Sequence, residues 1–213
     1  MRICWGGHAT FVIQVAGMTL ITDPVDESYG YAQIKDIPDV VTVSHEHKDH
    51  SAVHRVQGSP AIVRGIGKWE FPGLLIESFS SYHDKTGGSE RGENTIFKIT
   101  AEEIKLLHAG DLGERLLAQK ISDIGPIDIL LLPVGGVYTI EGSEAAELVR
   151  MIKPKITIPM HYQTPALIMS KELAAVETFT RFFDHVIYKK ELDITQEELA
   201  VIEEPQIYVL DYE

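Results

Sequence analysis

Residues 45–50 read His45-Glu46-His47-Lys48-Asp49-His50, one residue after the apolar β-branched run Val40-Val41-Thr42-Val43. Residues two apart in an extended segment project to the same side. His45 and His47 can therefore offer imidazoles to one ion, while the turn carrying Asp49 and His50 folds towards a second. The spacing predicts two adjacent metals. A solvated His-rich turn is the plainer alternative, but a two-metal site also needs ligands from distant parts of the chain, and this chain supplies them. Ser81-Tyr82-His83-Asp84, His108-Ala109-Gly110-Asp111 and Pro159-Met160-His161-Tyr162 each follow a β-forming run: Leu74-Leu75-Ile76, Ile104-Lys105-Leu106-Leu107 and Ile156-Thr157-Ile158. Ligands at strand ends suit a rigid site, because the sheet fixes them while the loops stay open to substrate.

Those side chains need strands to deliver them. Thr10 to Val15 and Met18 to Thr22 read as a hairpin turned at Ala16-Gly17, where glycine can take a positive backbone angle. Further strand signals fall at 40–44, 61–63, 74–79, 95–99, 103–108, 128–132, 155–159 and 206–210. Ala145, Leu148, Val149 and Ile152 recur at helical spacing over 144–152, with Ser143 as the expected N-cap. Leu173, Val176, Phe179 and Phe183 predict a second helix over 171–183, and Thr195 with Glu198 predicts a capping box for a short third. Strands early, helices interspersed and no internal repeat indicate a mixed α/β protein. At 213 residues and 44% apolar content, the chain can bury one sizeable core, so a single domain is expected over 1–213. Gly87-Gly88-Ser89-Glu90-Arg91-Gly92 is the loop expected to be most mobile. Gly135-Gly136 lacks the Lys and Ser/Thr of a nucleotide P-loop and reads as tight loop geometry.

Thirty-two acidic against nineteen basic residues give a formal charge of −13, which opposes capture of a phosphate backbone. A small-molecule substrate is expected, and no nucleic acid. Met1 to His8 runs straight into strand-like sequence with no apolar signal region, and the lone Cys4 can form no intrachain disulfide. Both features favour the cytoplasm. No apolar run approaches membrane-spanning length. A homo-oligomer fits such an acidic, compact chain, although no residue pattern fixes a number.

Thr22-Asp23-Pro24, the HxHxDH cluster, a later isolated His, a Gly-Asp and a final His, in that order, resemble the metallo-β-lactamase superfamily from Trp5 to about Tyr162. Gly7-His8-Ala9-Thr10, Arg91-Gly92-Glu93-Asn94-Thr95, His108-Ala109-Gly110-Asp111-Leu112-Gly113, Val134-Gly135-Gly136 and Pro159-Met160-His161-Tyr162 are similar to a branch of small bacterial hydrolases that includes ascorbate-6-phosphate lactonase-like proteins. The resemblance implies a four-layer αβ/βα sandwich, an α/β (α+β) fold with metals along the edge where two sheets meet. It also implies His45, His47 and His83 on one metal, Asp49, His50 and His161 on the other, and Asp111 as a bridge.

Neutral imidazole and carboxylate suit Zn²⁺, with Mn²⁺ or Fe²⁺ as alternatives. The expected activity is hydrolysis of a small-molecule ester, lactone or phosphoester by a metal-bridged hydroxide, with Asp49 as the catalytic side chain. His108, three residues before Asp111, is the rival of His83 as a ligand and is expected instead to bond to a ligand from outside, as is Asp23, for which a turn-forming Asp-Pro is the plainer role. His8 reads either as a residue at the site edge or as a satisfied buried histidine; His54 and His185 read as surface residues. Tyr138, Thr139 and Tyr162 are candidates to assist the leaving group, with packing as the plainer role. Arg91 reads as a solvated loop arginine, with contact to an anionic substrate group as the alternative. Two other functions remain open: a sulfur dioxygenase-like iron oxidoreductase on the same scaffold, and a non-catalytic metal-binding protein. Diiron flavoprotein relatives carry Glu where this chain has His47 and append a flavin domain, and neither feature is present.

Overall fold

Thr10–Val15 shows how the sheets are built. Phe11 and Ile13 enter one buried cluster, while Val12 joins a smaller cluster on the opposite face with Ile21, Val41 and Val43. That is the two-residue period of a strand buried on both faces. The computed structural model describes residues 1–212. In chain order the strands begin with β1 (Arg2–Gly7), β2 (Thr10–Val15), β3 (Met18–Thr22), β4 (Val40–Val43), β5 (Ala61–Arg64), β6 (Lys68–Phe71), β7 (Leu74–Tyr82), β8 (Glu93–Ala101) and β9 (Ile104–His108). Helices then intersperse the strands: α1 (Ala118–Ile124), β10 (Ile129–Pro133), α2 (Gly142–Ile152), β11 (Ile156–Met160), α3 (Glu177–Thr180), β12 (Val186–Lys189), β13 (Glu191–Asp193), α4 (Gln196–Ala200) and β14 (Gln206–Leu210).

One sheet has the order β13-β1-β2-β3-β4-β5 and the other β12-β14-β11-β10-β9-β8-β7-β6. Ile3, Phe11 and Leu20 from the first meet Ile76, Phe97, Leu106 and Leu130 from the second in one core cluster. β10 lies between parallel neighbours β9 and β11, and all five of its residues are buried. Its unbroken Ile-Leu-Leu-Leu-Pro run is what a covered parallel strand requires. The mixed α/β architecture of two sheets with few helices agrees with the sequence reading.

Two helices depart from expectation. α2 starts two residues earlier than the apolar pattern and takes Glu141, not Ser143, as N-cap, in a reciprocal capping box with Glu144. The helix expected over 171–183 is helical only at Glu177–Thr180. The reason lies in its backbone. Leu173 N donates to Gln163 Oε1, Ala174 N donates to Gly135 O, and Ala174 O accepts from Gln163 N. These partners draw 173–174 out of any i→i−4 ladder, so tertiary pairing overrides the apolar period. The third expected helix forms as α4, with Thr195 and Glu198 in the predicted capping box.

Candidate metal centre

The carboxyl ends of β4, β7, β9 and β11 converge on one side of the molecule. β4 runs into His45, His47, Asp49 and His50; His83 follows β7, Asp111 lies three residues beyond β9, and His161 follows β11. Two donor groups result. Ligand atoms of His45, His47 and His83 lie within 4.8 Å of one another, and so do those of His8, Asp49, His50 and His161. Asp111 sits between the groups. Its Oδ1 is 3.1 Å from His50 Nε2, and its Oδ2 is 3.2 Å from both His83 Nε2 and His161 Nε2 and 4.0 Å from His45 Nε2.

These spacings fit metal ligation better than hydrogen bonding. Donors about 2.0–2.1 Å from a tetrahedral ion lie roughly 3.3 Å apart, close to the separations around Asp111. His50 Nε2, His161 Nε2 and Asp111 Oδ1 are buried with no hydrogen-bond partner despite their proximity. They point towards a shared space and not along each other's N–H directions. Leaving a buried polar atom unpaired costs about 1–3 kcal/mol, and a cation held among the three would satisfy them all.

Asp23 braces this arrangement from behind. Its Oδ2 lies 2.8 Å from His50 Nδ1, its Oδ1 accepts from Ser44 N at 2.8 Å, and Ser44 Oγ also donates to it. Ser44 Oγ reaches His45 Nδ1 at 2.9 Å, so a single buried carboxylate orients one imidazole directly and a second through serine. This is the outer bonding expected of Asp23, and it leaves the Nε2 atoms to face the centre. His108 behaves differently. Its Nε2 bonds to Ala9 O at 2.9 Å and its Nδ1 accepts from Gly110 N at 3.2 Å. It touches no donor side chain and instead ties together the turns that carry His8 and Asp111.

Burial, together with His161, lowers the His8 imidazole to about 4, and burial with His50 lowers His45 to about 3; both are neutral at pH 7, the form that binds metals. Burial pushes the Asp49 carboxyl up, but His50 and the bond from His8 outweigh it and hold the group below the usual carboxylate range. Asp111 is likewise held low against its burial by His161 and His50. Both carboxylates are anionic at neutral pH.

Three further side chains contribute: His8, for which the sequence left a site-edge role open beside a structural one, and Asn94 and Tyr29, to which it assigned no role. His8 is fully buried and places Nε2 3.1 Å from Asp49 Oδ2, so its N–H steadies that carboxylate. Asn94 accepts from Asp111 N at 2.9 Å and donates to Ser81 Oγ and Ala109 O, fixing the Asp111 turn. Tyr29 lines the cavity above the donors, and burial together with Asp49 raises its hydroxyl to about 12. The Gly-Xaa-Asn-Thr and Gly-His motifs marked two of these segments, but no periodicity or spacing marked Tyr29.

Among the other candidates, Tyr138 lines the same cavity. Tyr162 does not; it is buried with its ring 5.0 Å from that of Trp5. Thr139 is buried and bonds to Ile140 O. His54 and His185 are exposed. Gly135 confirms the tight-loop reading, since a Cβ there would stand 2.1 Å from His161 O. The glycine-rich loop expected to be mobile is instead laced to Asp84, whose carboxylate accepts N–H groups from Thr86, Gly88, Glu90 and Arg91. A cavity of about 520 Å³ opens over the donors, within the usual range for small-molecule sites.

Residues 2–161 match the family described as Beta-lactamase superfamily domain. A UPF0173 metal-dependent hydrolase from Carboxydothermus hydrogenoformans is 30% identical over 199 residues, covering 77% of this chain and 85% of that protein. A counterpart of the same name from Thermoplasma volcanium is 30% identical over 210 residues, covering 84% and 94%. A crystal structure of a candidate Zn-dependent hydrolase of the metallo-β-lactamase superfamily from Thermotoga maritima superposes with a TM-score of 0.81 at 33% identity, covering 100% of this chain and 99% of that one. The strand-end histidines and aspartates, the two facing sheets and these matches agree: the chain belongs to the metallo-β-lactamase superfamily, among its UPF0173 metal-dependent hydrolases.

Proposed function

We propose that this centre holds two divalent cations, Zn²⁺ foremost, and hydrolyses an ester, lactone or phosphoester bond in a small molecule. The observation that carries the reading is the pair of donor groups joined by Asp111 at the floor of an open cavity. His45, His47 and His83 would hold one cation, Asp49, His50 and His161 the other, with Asp111 shared between them. When bound, such a pair supplies hydroxide at neutral pH, by lowering the pKa of water from about 16 towards 7, and Lewis-acid stabilisation of a developing oxyanion.

The chain's own groups do the rest. Asp49 lines the cavity and is anchored through Oδ2 by His8, while its Oδ1 takes no hydrogen bond from the described residues. As an anion it orients the nucleophile by accepting its hydrogen at Oδ1. The Tyr29 hydroxyl stays protonated at neutral pH and is positioned to donate to an oxygen of the substrate. Tyr138 and Met169 add apolar wall, which limits water around the reacting bond. A cavity of this size suits a small molecule.

Metal analysis of protein purified without added metal should give two equivalents per chain and distinguishes zinc or manganese from iron. Turnover is then assayed on lactone, thioester and phosphodiester substrates. Asp49→Ala should abolish hydrolysis while leaving a folded protein. Full turnover by that variant would refute the mechanism, and one equivalent of iron with no hydrolysis would refute the hydrolase reading.

A further inference from the structure

The charged side chains lining the cavity, apart from the donor residues, are Lys48 and Arg91. That is the reverse of the chain's overall balance, 32 acidic residues against 19 basic. Among the described residues Arg91 forms no ion pair with a carboxylate, and Lys48 forms none within 4.0 Å, although its charge helps hold the Asp26 carboxyl below the ordinary range. Lys48 stands between the donors His47 and Asp49 in sequence, so its place at the rim follows from theirs.

Arg91 is held in place and does not trail in solvent. The Asp84 carboxylate accepts the N–H of Arg91 at 2.8 Å and those of Thr86, Gly88 and Glu90 at 2.8–2.9 Å. His83 N donates to Gly92 O at 3.1 Å, which straps both ends of the loop to the donor-bearing end of β7. The guanidinium lies 4.4 Å from the centroid of the Tyr138 ring. Stacking of that kind fixes the plane of the group while leaving its N–H fork free in the plane. Two cations in the centre would outweigh Asp49 and Asp111, so the loaded cavity would be positive from floor to rim, and a cleft with walls of low polarity focuses such a field.

We infer that the cavity selects a small substrate carrying an anionic group, carboxylate or phosphate, remote from the bond that is cut, with Arg91 and Lys48 binding that group. The inference rests on the hydrolase reading for the word substrate, but recognition of the anion can be tested without turnover. Carboxylate and phosphate both match a planar guanidinium through paired hydrogen bonds. Tyr29, Tyr138, Ile168 and Met169 would cover the apolar stretch between the anion and the reacting centre.

The test is calorimetric titration of the metal-loaded protein with three probes that share one carboxylate: butyrate, glutarate and 4-phosphonobutyrate. The shared carboxylate can occupy the metals in every case, so preference over butyrate reports the distal anion. The wild type should prefer at least one dianion by about tenfold or more, as expected for a charge-assisted hydrogen bond, and the larger preference names the group. That preference should fall on raising salt from about 0.05 to about 0.5 M. In the double variant Lys48→Met/Arg91→Met, with metal content checked, it should shrink to within about threefold of butyrate. A wild-type preference below about tenfold, or one retained in the double variant, overturns the proposal. Absence of ester hydrolysis would sink the hydrolase reading and leave the anion preference standing; equal probe binding with intact turnover would do the opposite.

Discussion

Asp23→Asn is the most discriminating single change, because it keeps the size of the side chain and reverses the polarity of one arm. Asp23 accepts from Ser44 N through Oδ1, and from Ser44 Oγ and His50 Nδ1 through Oδ2. An asparagine whose oxygen faces Ser44 N must point its NH₂ at His50 Nδ1. Ser44 can rotate its hydroxyl to accept, but His50 must then give up the proton on Nδ1 and carry it on Nε2, the atom directed at Asp111. The wrong tautomer blocks the ligand. The opposite flip of the amide sets NH₂ against the Ser44 N–H in a buried site and leaves both donors unsatisfied, at about 1–3 kcal/mol each. Changes to such outer partners typically cost 10–100-fold in metal affinity, about 1.4–2.7 kcal/mol at 25 °C. The loss should fall on the cation held by Asp49, His50 and His161, and spare the one held by His45, His47 and His83 to the extent that Ser44 still bonds His45. Competition against a chromophoric chelator resolves the two affinities. If Asp23→Asn bound two equivalents with wild-type affinity, the proposed orientation of His50 would be wrong.

Three further outcomes follow from the same geometry. Tyr29→Phe should lower kcat by about 10²-fold with two metals still bound, the usual scale for losing a positioned proton donor; unchanged kcat would remove Tyr29 from the chemistry. Asn94→Ala deletes three buried hydrogen bonds and should reduce the urea-unfolding free energy of the metal-free protein by about 3 kcal/mol, whereas a loss under about 1 kcal/mol would mean that the Asp111 turn is held by other means. Glu102 accepts the Ala16 N–H and pairs with the amino group of Met1, and both hold its carboxyl below the ordinary range. A depressed folded value adds stability above the unfolded pKa of about 4.3 that disappears as pH falls through the folded value. Glu102→Gln should therefore lose less stability than wild type between about pH 5 and pH 3 in chemical denaturation, and parallel curves would dismiss the contribution.

The seven proposed ligands were legible in the sequence because they follow β-forming runs, directly or through a short turn, and strand ends gather on one edge of a sheet whatever the details of the loops. His45 and His47 needed only the period of an extended chain. The sequence left His8 divided between a site-edge and a structural role because its placement depends on a turn. Its backbone φ of 53° and the bond from His161 N to its carbonyl place the ring beside Asp49, and neither follows from local residue types. Tyr29 occupies a three-residue 3₁₀ turn, Glu27–Tyr29, too short to carry a pattern. The helix expected over 171–183 failed for a related reason: its backbone groups are claimed by Gly135 and Gln163, partners distant in the chain. The order of the Gly87–Gly92 loop was equally hidden, since it depends on one carboxylate, Asp84, accepting from four backbone N–H groups between Thr86 and Arg91.

Three of the non-glycine residues with positive φ lie in or against the centre: His8 at 53°, Asp23 at 36° and His161 at 52°. Such conformations cost on the order of 1–3 kcal/mol each and persist only where the surroundings impose them. Each is pinned by long-range backbone bonds: His161 N donates to His8 O, and Asp23 N donates to Thr42 O while its carbonyl accepts from Thr10 Oγ1. The strain thus lies in the backbone of these residues at the sheet edge, and the long-range bonds hold it there. It aims the His8 and His161 rings, 4.0 Å apart, at one space that no relaxed strand could point both towards. The apolar cluster joining the two sheets contains none of the donor residues. Folding can therefore assemble the edge before any cation arrives, and ligation then relieves unpaired buried atoms that the fold has already brought together.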